Sequence, residues 1–437
     1  MDLKKKNRRR PRYGWVLGLA LFFMIPSGAC AQGGLLSPYS SFGVGSIQPY
    51  MNVRNMGMGG LAVGLSGKGD MNPLNPATYR TGVDTLSVRF DIGFNIGMNS
   101  LRERQPDGSV ARNQSTSGGL GNLEFYFPVC KWYKMAIFLL PATDMHYKTS
   151  SFSDAGSHIG MTQLTHEGSG GIAKAGWGHS LGWGPVSVGA NFIYEFGTVT
   201  ETATLSFLDD SLAAYAGQSE YYTTTKVNGF AADVGISYRA DLKRGRFLSV
   251  GGSYTFQSKL YGKRTTMAQG VFTSGSDTAF LPESARRGII VYPSTVRAGF
   301  SFEQDGQYVV GADFSYAFWK QYEEYGAKYD FRNTYAVNLG AELKNNPQAA
   351  SKARHFAYRI GAFYQTYYAA YGGNSLSSFG VSLGLGIPVR KSRSLINIGL
   401  QYGRIGFMGK GQIEEDYFRI GLSFSSVETW FVKPKYD

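Results

Sequence analysis

Apolar and polar side chains alternate without a break between Thr85 and Asn99. Successive residues of a β-strand point to opposite faces, so this stretch has one apolar face and one polar, glycine-rich face. A strand of this length is unusual in a soluble sheet, but it suits a tilted strand that crosses a bilayer, which needs about 9–11 residues in the hydrocarbon. The apolar positions are Leu86, Val88, Phe90, Ile92, Phe94, Ile96 and Met98.

The same alternation recurs along the chain, and we predict strands at 85–99, 116–128, 134–148, 168–181, 185–199, 222–240, 246–259, 292–303, 306–320, 330–344, 354–370, 373–388, 393–408 and 413–425. After residue 31 no apolar run reaches the roughly 20 residues of a transmembrane helix. Strands that cross a bilayer must close into a barrel, because every backbone polar group needs a partner inside the protein. The sequence therefore predicts an all-β fold, a transmembrane antiparallel β-barrel of about 14 strands.

The predicted connections alternate in length. Long ones, at 100–115, 149–167, 200–221 and 260–291, follow odd-numbered strands, and short ones, such as 182–184, 241–245, 304–305 and 389–392, follow even-numbered strands. Long extracellular loops and short periplasmic turns are typical of outer-membrane barrels. An even number of strands also places both ends of the barrel in the periplasm.

The N-terminus has the pattern of a signal peptide, which predicts export. Basic residues between Lys4 and Arg12 precede an apolar run from Trp15 to Ile25 and the cleavage pattern Ala29-Cys30-Ala31. A lipoprotein signal ending at Cys30 is the alternative, although Ser27 stands where such a motif requires leucine. Removal of 1–31 lowers the formal net charge from +13 to +7 by taking away seven basic residues and one acidic residue, so the charge indicates no nucleic-acid partner.

We predict three parts: a signal peptide at 1–31, a hatch at 32–84 and the barrel at 85–437. Small residues and turns dominate 32–84, including Met56-Gly57-Met58-Gly59-Gly60 and Asn75-Pro76-Ala77. The segment is either a plug inside the barrel or a flexible leader. The mature chain keeps a single cysteine, Cys130, which excludes an intramolecular disulfide.

Several short motifs resemble the FadL/TodX family of outer-membrane transporters for hydrophobic compounds, in a Bacteroidetes-type version. Asn75, Pro76 and Ala77 resemble the hatch motif of that family, and Tyr194-Glu195-Phe196-Gly197 resembles the end of its fifth strand. Ala312-Asp313-Phe314 through Trp319 is similar to the ninth strand, and Trp430 to Tyr436 is similar to C-termini of that bacterial group. The resemblance implies a fourteen-stranded barrel that a hatch closes from below.

The resemblance also implies a route for a hydrophobic ligand. The ligand would enter a groove between the third and fourth extracellular loops and leave sideways through a kink in the third strand. The corresponding loops contain apolar residues, which form either a ligand groove or a lid packed on itself. The groove candidates are Leu205, Phe207, Leu208, Leu212, Phe272, Phe280 and Leu281.

Pro141 is the candidate for the lateral opening. It is the one proline of the chain that falls in the middle of a predicted strand, and proline interrupts the hydrogen-bonded ladder. A strand that ends just before Pro141 is the alternative.

Charges of both signs fall on the polar face of the predicted strands. Buried charges need partners, so they indicate a bonded network that braces the hatch, and a polar pore is the alternative. An arginine would also suit a fatty-acid carboxylate, although the sequence does not select one. The main lumen candidates are Arg89, Asp91, Glu195, Asp313 and Arg359, with Glu124, Asp233, Arg239, Arg297, Glu342 and Arg419 on the same face.

Two patterns suggest chemistry that we do not expect. Gly178-His179-Ser180-Leu181-Gly182 matches a nucleophile elbow, but no helix follows it. His146, His158 and His166 lack acidic or cysteine partners at ligand spacing. We therefore expect no enzymatic activity, no cofactor and no metal.

The sequence thus predicts passive uptake of a hydrophobic small molecule, a long-chain fatty acid or an aromatic hydrocarbon, through a monomeric barrel in the bacterial outer membrane. Expected partners are the ligand, outer-membrane lipid and lipopolysaccharide, with a periplasmic or secretion-system protein as a further option. The alternatives are a scaffold or shuttle in protein secretion and a porin for polar solutes.

Overall fold

The structure is a computed structural model, and it describes residues 36–48, 50–67, 69–82, 85–105, 107–156, 160–208, 217–271, 277–346, 348–371, 373–389 and 392–430. The predicted signal peptide and the last seven residues of the chain lie outside this part. No helix within it is long and apolar enough to span a membrane.

Twenty strands make up a single antiparallel sheet. They are β1 (Ser46–Ile47), β2 (Ser87–Arg104), β3 (Val110–Cys130), β4 (Tyr133–Asp144), β5 (Tyr147–Asp154), β6 (Met161–Trp183), β7 (Val186–Phe207), β8 (Gln218–Asp241), β9 (Arg246–Thr255), β10 (Ser258–Val271), β11 (Asp277–Tyr292), β12 (Thr295–Gln304), β13 (Tyr308–Ala317), β14 (Glu323–Glu324), β15 (Ala327–Lys328), β16 (Thr334–Leu343), β17 (Ala357–Tyr371), β18 (Asn374–Pro388), β19 (Leu395–Ile405) and β20 (Glu414–Thr429). Short helices are α1 (Val53–Met56), α2 (Tyr79–Gly82) and 3-10 turns at Pro38–Ser41, Pro76–Thr78, Trp319–Gln321, Lys352–His355 and Met408–Lys410.

Fourteen strands form a closed ring, which confirms the predicted barrel. The order is β2, β3, β4, β6, β7, β8, β9, β12, β13, β16, β17, β18, β19 and β20, and β20 pairs with β2 from Ser87↔Thr429 to Arg102↔Glu414. β5, β10 and β11 continue the wall beyond β4, β9 and β12 at the end of the barrel where the long loops were predicted.

The two faces of the wall differ as the alternation predicts. Large apolar side chains stand exposed on the outer face, with Phe94 46% and Phe230 77% exposed. Polar side chains at the alternate positions of the wall strands, such as Asp91, Glu195 and Asp313, point inward and are buried. An apolar outer face and a polar inner face are what a strand that borders lipid requires.

The predicted long loops are much shorter in the structure. β7 and β8 extend to Phe207 and from Gln218, so most of 200–221 is a hairpin, and β10 and β11 occupy most of 260–291. The same correction applies at 100–115 and 149–167. The outward side chains of these extensions are largely polar, so they lack the apolar face that marks the other strands. Their threonine-rich sequences nevertheless favour strands and pair with their neighbours.

Candidate functional site

The predicted hatch motif is buried against the inner face of the barrel wall. Asn75 Oδ1 accepts a hydrogen bond from the Ala77 N–H at 3.2 Å and so caps the turn that begins at Pro76. The Asn75 amide donates to the carbonyl oxygens of Val63 at 3.0 Å and Ile236 at 3.2 Å. Asn75 therefore joins two parts of the hatch segment to β8.

Glycines on the inner face let the hatch backbone lie directly on the wall. A Cβ atom at Gly251 would be 2.1 Å from the Val63 carbonyl oxygen, and one at Gly361 would be 2.1 Å from the Gly59 nitrogen. No side chain fits at such distances, so the polar faces of these strands need glycine where the hatch touches them. Similar close approaches occur at Gly189, Gly235, Gly299, Gly340 and Gly384.

Two of the predicted lumen charges hold hatch backbone. The Asp313 carboxylate of β13 accepts hydrogen bonds from the backbone N–H groups of 62–64 at 2.6, 2.7 and 2.9 Å. Arg89 of β2 donates to the Gly69 carbonyl oxygen at 2.7 Å. These bonds supply partners to backbone groups that no regular secondary structure satisfies.

A buried ion network attaches α1 to β16. Arg54 pairs with Asp70 and donates to Glu342 at 3.1 Å, and Arg359 of β17 pairs with the same Glu342 at 3.2 Å. Burial by itself would raise the pKa of the Asp70 carboxyl, but the positive charges of Arg54 and Lys344 outweigh it and hold that pKa below its usual value. Asp70 is therefore ionised at neutral pH and fixes Arg54 in place.

The other two predicted lumen charges bond within the wall. Asp91 accepts a hydrogen bond from the Asn122 amide of β3 at 2.7 Å. Glu195 pairs with Lys174 of β6 at 3.0 Å and accepts from the Ser258 hydroxyl at 3.0 Å. All five lumen candidates thus point inward and have partners, and the sequence did not separate hatch contacts from wall contacts.

The wall opens between β3 and β4. Their pairing ends at Leu123↔Leu139, and residues 110–122 of β3 pair with β2 alone among the described residues. Pro141 lies two residues after Leu139, and the register between β4 and β6 shifts between Pro141 and Thr143. Pro141 therefore lies where the third wall strand separates from the second. We had expected Pro141 to be the one proline in the middle of a strand. The structure shows others inside strands, since Pro128 lies in β3 and Pro282 in β11.

Hatch strand β1 takes the edge that β3 leaves. Ser46 and Ile47 pair with Asp144 and Thr143 of β4, and the Gln48 N–H donates to the Ala142 carbonyl oxygen at 2.9 Å. The Ile47 side chain is 37% exposed. The hatch segment thus completes the backbone pairing at the opening.

A cavity of about 280 Å³ lies inside the barrel next to this opening. Phe138, Leu140 and Pro141 of β4 and Ile193 of β7 give it an apolar wall. Buried aromatic residues border it from the other side. Its position gives an apolar molecule continuous contact from the lumen to the break in the wall.

Two arginines also line the cavity. The Arg419 guanidinium lies over the Tyr417 ring with 4.8 Å to the ring centroid, and Arg297 donates to the Thr255 hydroxyl at 2.8 Å. In the part of the chain that the structure describes, neither arginine forms a salt bridge. They are the cations of the cavity that remain available to an acidic ligand group.

An inner loop, residues 318–333, folds into the lumen, and the sequence analysis missed it. Trp319 stacks on Tyr368 of β17 with ring centroids 4.0 Å apart, and Phe331 packs against the same ring at 4.7 Å. Trp319 and Tyr322 are almost fully buried, and Val44 of the hatch segment belongs to the same cluster. The concentration of aromatic residues between Phe318 and Phe331 was the available signal.

The groove candidates are in strands or outside the described residues. Leu205 and Phe207 lie in β7, opposite Ser219 of β8 and Thr162 of β6, and Leu208 follows with 46% exposure. Phe280 and Leu281 lie in β11. Leu212 and Phe272 lie outside the described residues. The groove as a pair of irregular loops is therefore corrected to hairpins, since backbone pairing continues past the predicted strand ends.

Ser180 has no features of a nucleophile. It is fully buried inside β6, which continues to Trp183, and its hydroxyl donates to the Ala77 carbonyl oxygen at 3.1 Å. A nucleophile elbow requires an exposed serine at a strand-to-helix turn. Ser180 is instead a contact between the wall and the hatch motif.

Comparisons with known proteins fit this architecture. The family model BamG matches residues 16–437. The chain belongs to the BamG family. No curated protein matches its sequence. The BamG-family assignment covers both the hatch segment and the barrel.

Solved structures share the fold of this BamG-family chain. The CymD monoaromatic hydrocarbon channel is 14% identical with a TM-score of 0.56, and the match covers 89% of this chain and 99% of that one. The P. putida toluene transporter TodX is 15% identical with a TM-score of 0.54, over 88% and 99%. A Pseudomonas aeruginosa FadL homologue is 12% identical with a TM-score of 0.55, over 88% and 99%. The predicted FadL/TodX-like fold is confirmed.

Proposed function

We propose that this protein is an outer-membrane channel for passive uptake of hydrophobic small molecules, either long-chain fatty acids or aromatic hydrocarbons. The observation that carries the proposal is the break between β3 and β4 beside an apolar cavity. Backbone polar groups in a membrane barrel need partners, so a break in the pairing indicates a place where a molecule passes or binds. Two of the three structural relatives are named a monoaromatic hydrocarbon channel and a toluene transporter, and the fold that this chain shares with them supports the proposal.

The route follows the apolar surface. A ligand would come from the extracellular hairpins, pass the aromatic inner loop and reach the cavity beside Phe138 and Ile193. It would leave past Pro141 into the bilayer and would not meet bulk water. The hatch blocks the straight path, since its backbone lies on the wall glycines. A route of this kind needs no covalent chemistry, because transfer from water to an apolar site is favourable by itself.

A cavity-filling variant tests the proposal. Ile193 is buried at the cavity wall, so Ile193→Trp should fill the cavity, whereas neighbouring Phe192 is 61% exposed on the outer face, so Phe192→Trp is the matched control. We expect I193W to lose most co-purifying lipophiles by extraction and mass spectrometry, and most uptake of a labelled C16 acid or toluene. F192W should behave as the parent. Equal lipophile content in all three would overturn the proposal.

A scaffold role in protein secretion is the second candidate, and one observation favours it. β5, β6, β7, β8, β10 and β11 form a paired sheet that rises beyond the apolar belt, and β5 has a free edge among the described residues. Free edges accept added strands. A chain trimmed between Lys148 and Glu167, which removes the free β5 edge, would favour the scaffold if it keeps full uptake but no longer complements a deletion strain.

A further inference from the structure

Three cations stand side by side on the outer face of the wall. Lys226 of β8 lies directly opposite Lys263 of β10, and Lys263 lies directly opposite Arg287 of β11. All three are exposed. Side chains directly opposite each other on neighbouring strands have Cβ atoms about 4.5–5.5 Å apart, and like charges there are destabilising.

No carboxylate neutralises this row within the described part of the chain. The outward positions two residues further from the membrane hold Thr224, Thr265 and Ala285, which are in register with each other. Glu167, an outward carboxylate two strands away on β6, is paired with Lys148. A bound anion would therefore remove a repulsion that the fold leaves in place.

Exposed aromatic and aliphatic side chains lie below the row, together with a further exposed cation, Lys259, which is directly opposite Phe230. Two residues along each strand come Asn228, Tyr261 and Ile289, and Tyr261 is 61% exposed. Two residues further on β8 is Phe230, which is 77% exposed. The row thus lies at the level where lipid headgroups meet acyl chains, as aromatic residues at barrel interfaces indicate.

On the opposite rim, two outward arginines are paired with carboxylates. Arg102 of β2 pairs with Glu414 at 2.7 Å, and Arg404 of β19 pairs with Asp416 at 2.7 Å. Both arginines also lie near the extracellular ends of their strands. On that side the protein supplies its own carboxylates, and on the β8–β10–β11 side it does not.

We propose that Lys226, Lys263 and Arg287 bind the phosphate group of an outer-leaflet glycolipid whose acyl chains lie along Tyr261 and Phe230. The inference rests on the outer-membrane location within the proposed function, but not on transport. The occupant is a lipid rather than free phosphate, because the charged row continues directly into exposed apolar surface. It gives the lipopolysaccharide contact expected from the sequence a defined place on the molecule.

Thermal unfolding of the purified full-length protein in detergent tests this site. We expect phosphorylated lipid A to raise the unfolding midpoint of the parent protein, and the K226Q/K263Q/R287Q variant to bind it more weakly by on the order of a hundredfold. The R102Q/R404Q variant, which removes two cations from the opposite rim, should respond as the parent. Without lipid, the triple variant should unfold at the same or a higher temperature, because it lacks the repulsion.

Three results would overturn the site: an unchanged affinity in the triple variant, equal binding of dephosphorylated lipid A, or an equal shift with inorganic phosphate alone. If the triple variant does not fold, K263Q alone removes the central charge and should weaken lipid A binding by about fivefold. Lipophile retention by the triple variant separates the two proposals. If the triple variant loses lipid A binding but keeps its lumen lipophiles, the result bears on the lipid site alone. Loss of lipophiles in I193W bears on the transport proposal alone.

Discussion

The hatch meets the wall in opposite ways on two sides of the barrel. Along β16, β17 and β18 the wall ladder is unbroken at the level where the hatch backbone packs on Gly340, Gly361 and Gly384. Along β4 the ladder to β3 is broken, and hatch strand β1 itself supplies the missing partner. The first contact depends on close packing, and the second is a short backbone pairing at an opening. We therefore predict that the hatch is fixed on the first side and exchangeable on the second.

Gly361→Val should have the largest effect, because the glycine side has no room for a side chain. Overpacking of this kind costs about 1–3 kcal/mol or more and should displace the hatch from the wall. We expect G361V to show ion conductance in planar bilayers that the parent lacks. Gly118→Val is the control, since a Cβ atom there is 3.5 Å from its nearest neighbour. A G361V barrel that shows no ion conductance and is as stable as the parent would contradict the packing account.

Asp313→Ala should come next, because it leaves three buried hatch N–H groups without an acceptor. Each such group costs about 1–3 kcal/mol. We expect faster hydrogen exchange at 62–64 and a lower unfolding temperature. The exposed carboxylate Asp305 provides the control variant D305A. Unchanged exchange at 62–64 in D313A would show that the carboxylate does not hold this turn.

Arg419→Gln should change ligand choice and not stability. A charge-assisted hydrogen bond contributes about 1.5–3 kcal/mol, so binding of a C16 fatty acid should weaken by about tenfold or more. Binding of toluene should stay as in the parent. Competition measurements with the two ligands check this, and equal losses for both would exclude a role in carboxylate recognition.

Gln48→Pro addresses the exchangeable side. The substitution removes the N–H that donates to Ala142, a loss of about 1 kcal/mol, so hatch strand β1 should leave β4 more often. Lipophile release should become faster by a few fold, while barrel stability should stay close to that of the parent. Slower release would mean that β1 assists the exit and does not cover it.

Acid should loosen the fixed side. The pKa of Asp70 is lowered in the folded state, so its ion pair with Arg54 stabilises the hatch above the unfolded pKa of about 3.9 and is lost as pH falls below it. Hydrogen exchange of the hatch should therefore rise below about pH 4 in the parent. Asp70→Asn should show raised exchange that no longer depends on pH in this range, and a parent-like pH profile in D70N would reject the assignment.

The sequence was sufficient to predict the strands of the wall, but not which residues of the hatch and the inner loop contact it. Alternation such as that at 85–99 predicted all fourteen wall strands. A strand with lipid on one side and a polar lumen on the other requires apolar and polar residues at alternate positions. The alternation missed the ends of β7 and β8, where both faces meet water and cross-strand pairing alone decides. It also missed the inner loop around Trp319, whose burial depends on the distant Tyr368 and Val44.

The candidate site divides in the same way. Pro141 lies beside the end of the β3–β4 pairing, and its role in a lateral opening stays a prediction. Asn75-Pro76-Ala77 and the five lumen charges were found by motif and by face. Which charge contacts the hatch could not be predicted, because a strand pattern gives the direction of a side chain and not its partner. The signal-peptide boundary and the hatch limit at residue 84 stay predictions.

A disulfide lock on hatch strand β1 tests the central claim most directly. Ser46 and Asp144 are register partners, so cysteines at both positions in a Cys130→Ser background can join β1 to β4. The account predicts that uptake of a labelled C16 acid stops in the oxidised protein and returns on reduction, with the singly substituted S46C protein unaffected by either treatment. Equal uptake in the oxidised and reduced states of the double variant would show that the ligand does not leave through the opening that β1 covers.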